Sequence, residues 1–172
     1  VGLRPPLDRI LSPRPNSQNT SLRGGRKADV AVHVFSGVNM ILHPQLKKDC
    51  HVLGALPLSA VLLLNDTRYP WVVLVPQREQ VREWIDLNET DRQQLLLESC
   101  QVQEALRDLY HPGKLNVGLL GNIVPQLHLH HIARFTTDPA WPGPVWGHSK
   151  AEPYTDLALQ QRSADLKAAL GI

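Results

Sequence analysis

One long helical stretch with short apolar segments on either side constrains this chain more than any other feature. Asn88 can cap a helix that runs to about Tyr110, with Glu89 and Asp91 in its first turn and apolar residues at Leu95, Leu96, Val102, Leu106 and Leu109. Thr90 with Gln93 offers an alternative capping box, and His111-Pro112-Gly113 ends the run. Before it, residues 58–64 and 71–75 read as two strands around a turn at 65–70. After it come residues 114–120 and 123–132, separated by Gly121-Asn122, a pair suited to a tight turn. Strand pairs on both sides of one helix indicate an α+β fold. The expected architecture is an antiparallel sheet of about five strands with the long helix and a C-terminal helix over 155–170. Residues 43–49 read as a short helix with Pro44 in its first turn, 77–87 as mixed with room for a helical turn, and 138–147 as a stiff loop.

The chemistry lies in Gln126-Leu-His-Leu-His-His-Ile132. On a strand, a period of two puts Gln126, His128 and His130 on one face, with Leu127 and Leu129 turned toward a core. Two imidazoles about 7 Å apart at the backbone can pair a nucleophile with a proton donor. Histidine titrates near 6.5 when unperturbed, so a neutral ring is available to attack phosphorus at physiological pH. If His128 attacks, its other ring nitrogen must donate to a carbonyl. Backbone N–H groups at Gly121 and Asn122 can cradle phosphate oxygens, because glycine lets the chain come close, and Asn116 adds an amide. His131 faces the other way and reads as structural. A His-x-His pair on a strand also suits a metal or an ordinary surface, but no third ligand accompanies this one.

The motif resembles the signature of the histidine triad (HIT) family, His-φ-His-φ-His-φ-φ with φ apolar. Gln126 stands in the place of the first His and His131 in that of the first trailing φ. The middle His falls on His128 and the third on His130. The element order over about residues 52–135 is similar too. Leu115-Asn-Val-Gly-Leu-Leu-Gly-Asn122 resembles the family's Asn-x-Gly…Gly-Gln stretch, and Asp66 its ribose-binding acid.

This resemblance implies a hydrolase acting on a nucleoside phosphoanhydride, phosphoramidate or dinucleoside polyphosphate. His128 would carry a nucleotidyl-histidine intermediate, with His130 and Gln126 as its catalytic neighbours. Asn116, Gly121, Asn122 and Asp66 would bind the nucleotide. No protein-bound metal is implied; magnesium would enter only with substrate phosphates. Three departures favour an alternative, a non-catalytic nucleotide-binding or regulatory module. These are Gln126, Ile123 where the family has Ser or Thr at the leaving group, and Trp71 near the place of another pocket His.

Charge is divided along the chain. Residues 1–39 hold six cations (Arg4, Arg9, Arg14, Arg23, Arg26, Lys27) against two acids (Asp8, Asp29). The chain's formal +2 therefore leaves residues 40–172 at −2, which argues against a nucleic-acid surface on the folded part. With its prolines and Gly24-Gly25, the stretch 1–39 reads as a disordered basic tail apart from a possible strand at 30–35, upstream of a native start at Met40. The domain is then 40–172, with its core at about 52–135 and a loop and helix over 136–172. No apolar run approaches the roughly 20 residues that span a bilayer. Cys50 and Cys100 form no C-x-x-C pair and suit a reducing cytoplasm. A homodimer is expected from the resemblance. The adjacent Leu95, Leu96 and Leu97, and a 114–120 strand apolar on both faces, also leave more apolar surface than one chain readily buries.

Overall fold

The computed structural model describes residues 40–172; the tail over 1–39 and its expected strand at 30–35 lie outside the described residues. In chain order come α1 (Pro44–Asp49), β1 (Cys50–Ala55), β2 (Ser59–Leu64), β3 (Trp71–Pro76), a 3-10 turn (Trp84–Asp86), α2 (Glu89–Tyr110), β4 (Lys114–Gly118), β5 (Leu129–Arg134) and α3 (Asp156–Leu170). The five strands form one antiparallel sheet in the order β1-β2-β3-β5-β4. The α+β architecture is the expected one.

The helix ends follow from the residues that cap them. Asn88 Oδ1 accepts from the Asp91 N–H at 2.9 Å, and His111 closes α2 in the left-handed region. Thr155 caps α3 through the Ala158 N–H, and Gly171 ends it. His43 Nδ1 accepts from the Gln45 N–H at the start of α1.

β2 and β3 lie inside the sheet and are covered on both faces, which is why their sequences are almost wholly apolar. α2 and α3 cover one face, over Val61, Leu63, Val72, Leu74 and Leu129. The opposite face, with Ala60, Leu62, Trp71, Val73 and Ile132, packs against Leu42, Leu46, Ala140 and Val145. Among the described residues no helix is long and apolar enough to cross a membrane.

Two expectations need correction. β1 is a strand that the apolar pattern did not mark, because a register shift between Val52 and Gly54 breaks its alternation. Residues 123–128 are not strand: β5 starts at Leu129, and β4 already ends at Gly118. Pro125 has no N–H to give a ladder, and the Leu127 N–H donates to the Val81 carbonyl at 3.0 Å instead. The connection between β4 and β5 is thus a loop over 119–128, not a tight turn at Gly121-Asn122.

Candidate functional site

β5 sends His130 and His131 to opposite faces of the sheet. His131 is fully buried against α2, with Nε2 2.8 Å from Ser99 Oγ, and burial pushes its pKa down to about 4. It is a structural residue, as its position on the strand predicts. His130 lies on the other face opposite Val73 of β3, and His128 stands just ahead of the strand on the same side. Their rings are 4.8 Å apart between centroids and nearly perpendicular.

Each ring has one nitrogen already engaged. His128 Nδ1 is 2.7 Å from the Gln126 carbonyl oxygen. A carbonyl only accepts, so Nδ1 carries a proton, and in the neutral ring the lone pair is therefore on Nε2. His130 Nδ1 is 3.0 Å from the indole Nε1 of Trp71. Burial, and then the neighbouring His128 and His131, push the His130 pKa down to about 3.

The loop before β5 can pass this close only because of its glycine. A Cβ on Gly121 would lie 3.0 Å from the Val124 carbonyl and 3.7 Å from His128 Cε1. On β4, a Cβ at Gly118 would meet the Trp146 ring at 3.0 Å, so glycine there lets Trp146 settle beside His130 with ring centroids 5.7 Å apart.

His128 borders two hollows. The first, of about 330 Å³, is lined by His128 and His130 together with Leu46, Leu64, Trp71, Ile123 and Trp146. Asp49 and Cys50 also border it; burial, helped by Asp49, pushes the Cys50 thiol up to about 12, so it stays protonated. The second, of about 300 Å³, is bordered by Arg82, Glu83, Gly121, Asn122, Gln126 and His128. One hollow is aromatic and apolar, the other polar, and His128 borders both. Such an arrangement can hold a planar apolar group on one side and charged groups on the other.

Not every expected site residue is gathered here. Gly121 and Asn122 are. Gln126 borders the second hollow, but its amide is engaged elsewhere: Oε1 accepts from the His43 N–H at 2.8 Å and Nε2 donates to the Ile41 carbonyl at 3.2 Å. Asn116 Oδ1 accepts from Arg134 at 2.7 Å, and Asn116 borders neither hollow. Asp66 also borders neither; both its carboxylate oxygens take the Arg68 guanidinium, at 2.8 and 2.6 Å, and Arg68 in turn reaches Ser149, the Lys150 carbonyl and Glu152. Arg134, like Arg68, is bound away from the pocket, by Asp138. Sequence reasoning missed Arg82 and Glu83, which lie in an aperiodic segment with no motif of their own. It also left Trp71 as a departure from pattern, where the structure gives it a bond to His130. Among the described residues no three His, Cys, Asp or Glu side chains are grouped to hold a metal ion.

Residues 45–137 match the family described as HIT domain. Two solved structures of histidine triad proteins are similar over most of the chain. One, from Marinobacter aquaeolei, is 46% identical with a TM-score of 0.75, covering 76% of this chain and 96% of that one. The other, from Bradyrhizobium japonicum, is 44% identical with a TM-score of 0.74, covering 76% and 97%. A hypothetical histidine triad nucleotide-binding protein from Sulfolobus tokodaii, 12% identical with a TM-score of 0.55 over 74% of this chain and 87% of its own, shares the fold. No curated protein matches the sequence.

Proposed function

This chain belongs to the histidine triad family, and from that premise we propose that it is a nucleotide phosphohydrolase working through a nucleotidyl-His128 intermediate. The observation that carries this reading is the 2.7 Å bond from His128 Nδ1 to the Gln126 carbonyl. In the neutral ring it puts the lone pair on Nε2, on a residue that borders a hollow of nucleotide size, and a fixed tautomer is what attack on phosphorus requires. The aromatic hollow around Trp71 and Trp146 suits a base and sugar. Backbone groups at Gly121 and Asn122 suit the phosphate oxygens. In this reading the enzyme acts in the cytoplasm as a homodimer, on a nucleoside phosphoanhydride, phosphoramidate or dinucleoside polyphosphate.

The test is a screen of adenylylated substrates with the wild type and His128→Ala, with mass spectrometry on quenched reactions. The wild type is expected to turn over at least one substrate and to show a mass increase of one nucleotidyl group on the peptide holding His128. The variant should do neither and should keep its melting temperature within a few degrees. Near-wild-type rates in His128→Ala would sink the covalent mechanism. One observation favours the second reading, a binding module without turnover: Ile123, on the rim of the hollow and 85% exposed, offers no hydroxyl at the place where the family resemblance implies a Ser or Thr. Nucleotide binding by calorimetry with no product formed would select it.

A further inference from the structure

On the hydrolase reading just given, we propose that Trp71 is a positioning residue that fixes His130 as a neutral Nε2–H donor. The site in consequence favours bonds whose leaving group departs as an anion, phosphoanhydrides, over phosphoramidates.

The argument starts from what an indole can do. Its N–H donates and has no lone pair to offer. With Trp71 Nε1 3.0 Å from His130 Nδ1, that nitrogen must accept, so the only proton on the ring sits on Nε2. Protonating the ring would set one N–H against another across 3.0 Å. Trp71 has little freedom to turn away. It is 6% exposed on β3, with edge-on contacts to Tyr69 and Trp146 as well as to His130.

The other groups around His130 reinforce the neutral state. His128 and His131 flank it in sequence and both disfavour a cation there, in the same direction as burial. Across the hollow stand Asp49 and Cys50, the latter a protonated thiol, and among the described residues no carboxylate bonds to His130. His131 is itself held neutral by burial. Arg82 and Glu83 border the other hollow.

The consequence is chemical. Expelling an amine from phosphorus requires its nitrogen to be protonated as the bond breaks, which calls for an acid that titrates near working pH. A neutral imidazole N–H gives a hydrogen bond but keeps its proton. Gln126, in the place of the first triad His, cannot titrate, and its amide is already bonded to residues 41 and 43. A phosphoanhydride needs no such acid. The His128 Nε2 lone pair forms the N–P bond, the bridging P–O bond breaks, and its electron pair leaves on a phosphate that is stable as an anion. The Nδ1 proton stays shared with the Gln126 carbonyl. Water then attacks phosphorus, the N–P pair returns to Nε2, and the water proton passes to solvent. His130 Nε2–H hydrogen-bonds a phosphate oxygen throughout without transferring its proton.

Two measurements decide the proposal. Long-range proton–nitrogen NMR of the imidazole groups, with no substrate present, reads the tautomer of His130. Wild type should show protonated Nε2 and bare Nδ1, unchanged from pH 8 to 5. Trp71→Phe should show mixed tautomers and a ring that titrates within that range. Wild-type spectra with Nδ1 protonated, or with His130 titrating near its ordinary value, overturn the lock, and this holds even if Trp71→Phe fails to fold. The second measurement uses AMP derivatives with leaving groups graded from phosphate and pyrophosphate to a simple amine. Wild type should cleave the anhydrides at least about 100-fold faster than the amidate, the lower end of what a general acid contributes. Trp71→His, which can leave His130 free to protonate, should narrow that ratio. Equal wild-type rates on both classes overturn the leaving-group preference. Absence of turnover across the whole series overturns the hydrolase reading and the preference with it, while the NMR result still decides the Trp71–His130 lock.

Discussion

Arg134 and Asp138 form a two-pronged ion pair, Nε to Oδ2 at 2.7 Å and one Nη to Oδ1 at 3.0 Å, with both side chains about 2% exposed. β5 ends at this arginine, and its remaining donors reach Asn116 of β4 and the Gly143 carbonyl, while Trp141 lies against its guanidinium. The pair therefore joins the last two strands to the loop over 138–147, and that loop delivers Trp146 to the His130 side of the pocket. Removing one partner strands a buried charge, a loss of about 3–5 kcal/mol. Asp138→Ala should lower unfolding stability by that order in a denaturant titration and should weaken nucleotide binding in whatever protein still folds. A loss under about 1 kcal/mol would show that the loop is held by something else.

Stability should fall with acid in two stages. His131 and His130 have folded values of about 4 and about 3 against an ordinary 6.5, both chiefly through burial. The unfolded chain therefore takes up protons below pH 6.5 that the folded chain refuses. Their contribution is complete above that pH and is lost as pH falls toward 4 and then 3, by up to about 1.4 kcal/mol per pH unit for each ring. Asp138 and Asp91 follow. Burial works to raise Asp138, but Arg134 and the Phe135 and Ala140 N–H groups outweigh it; Arg78 lowers Asp91. Their stabilisation is present above 3.8 and lost below it. Denaturant midpoints from pH 8 to 3 should bend near 6.5, and His131→Gln should soften that bend. A flat profile down to pH 4 would contradict the burial of both rings.

Much of this was legible in the sequence, for reasons that differ by residue. Asn88 marks a helix start by the N–H its side chain can cap, and Pro44 by its fixed φ and missing N–H, local properties that need no knowledge of the fold. The apolar runs of β2 and β3 follow from burial on both faces. The family signature located His128 and His130. What escaped depends on contacts far along the chain. Gln126 looks like a third member of a strand face, yet its amide bonds to residues 41 and 43, more than 80 positions away. Asn116 and Asp66 carry the right chemistry for a nucleotide, but Arg134 and Arg68 reach them first. A polar residue's partner is a tertiary fact, and residue type alone cannot supply it.

Gln126 should accordingly behave as a clamp for residues 40–43. Gln126→Ala removes two hydrogen bonds to the backbone and should lower stability by about 1–3 kcal/mol. The Gln126 carbonyl that orients His128 belongs to the backbone and survives the change, so kcat should stay within about tenfold of wild type. A much larger loss of kcat with unchanged stability would make the amide a participant in the chemistry.

Chelation should leave cleavage intact at the protein itself. His128 and His130 make a pair of imidazoles at most, and no third ligand is grouped with them among the described residues. Rates after EDTA treatment and removal of the chelator should match untreated enzyme. Activity lost on chelation and restored by stoichiometric zinc would establish a metal site; a need for millimolar magnesium would not, since that ion binds substrate phosphates.

The chain should pair with a second copy along its open sheet edge. α3 packs on α2 and β1, the edge strand at the opposite end of the sheet from β4. Leu166 and Leu170 are buried under α3, while Val117, Leu119 and Leu120 at and beyond β4 remain exposed, as do Leu96 and Leu97 on α2. An unpaired edge strand bearing apolar side chains readily pairs with another chain, and a two-fold operation closes the assembly. Light scattering at micromolar concentration should give twice the chain mass, and Val117→Lys, a charge on an exposed edge position, should shift the equilibrium toward one copy. A wild-type mass of one chain, unchanged on adding nucleotide, would rule the dimer out.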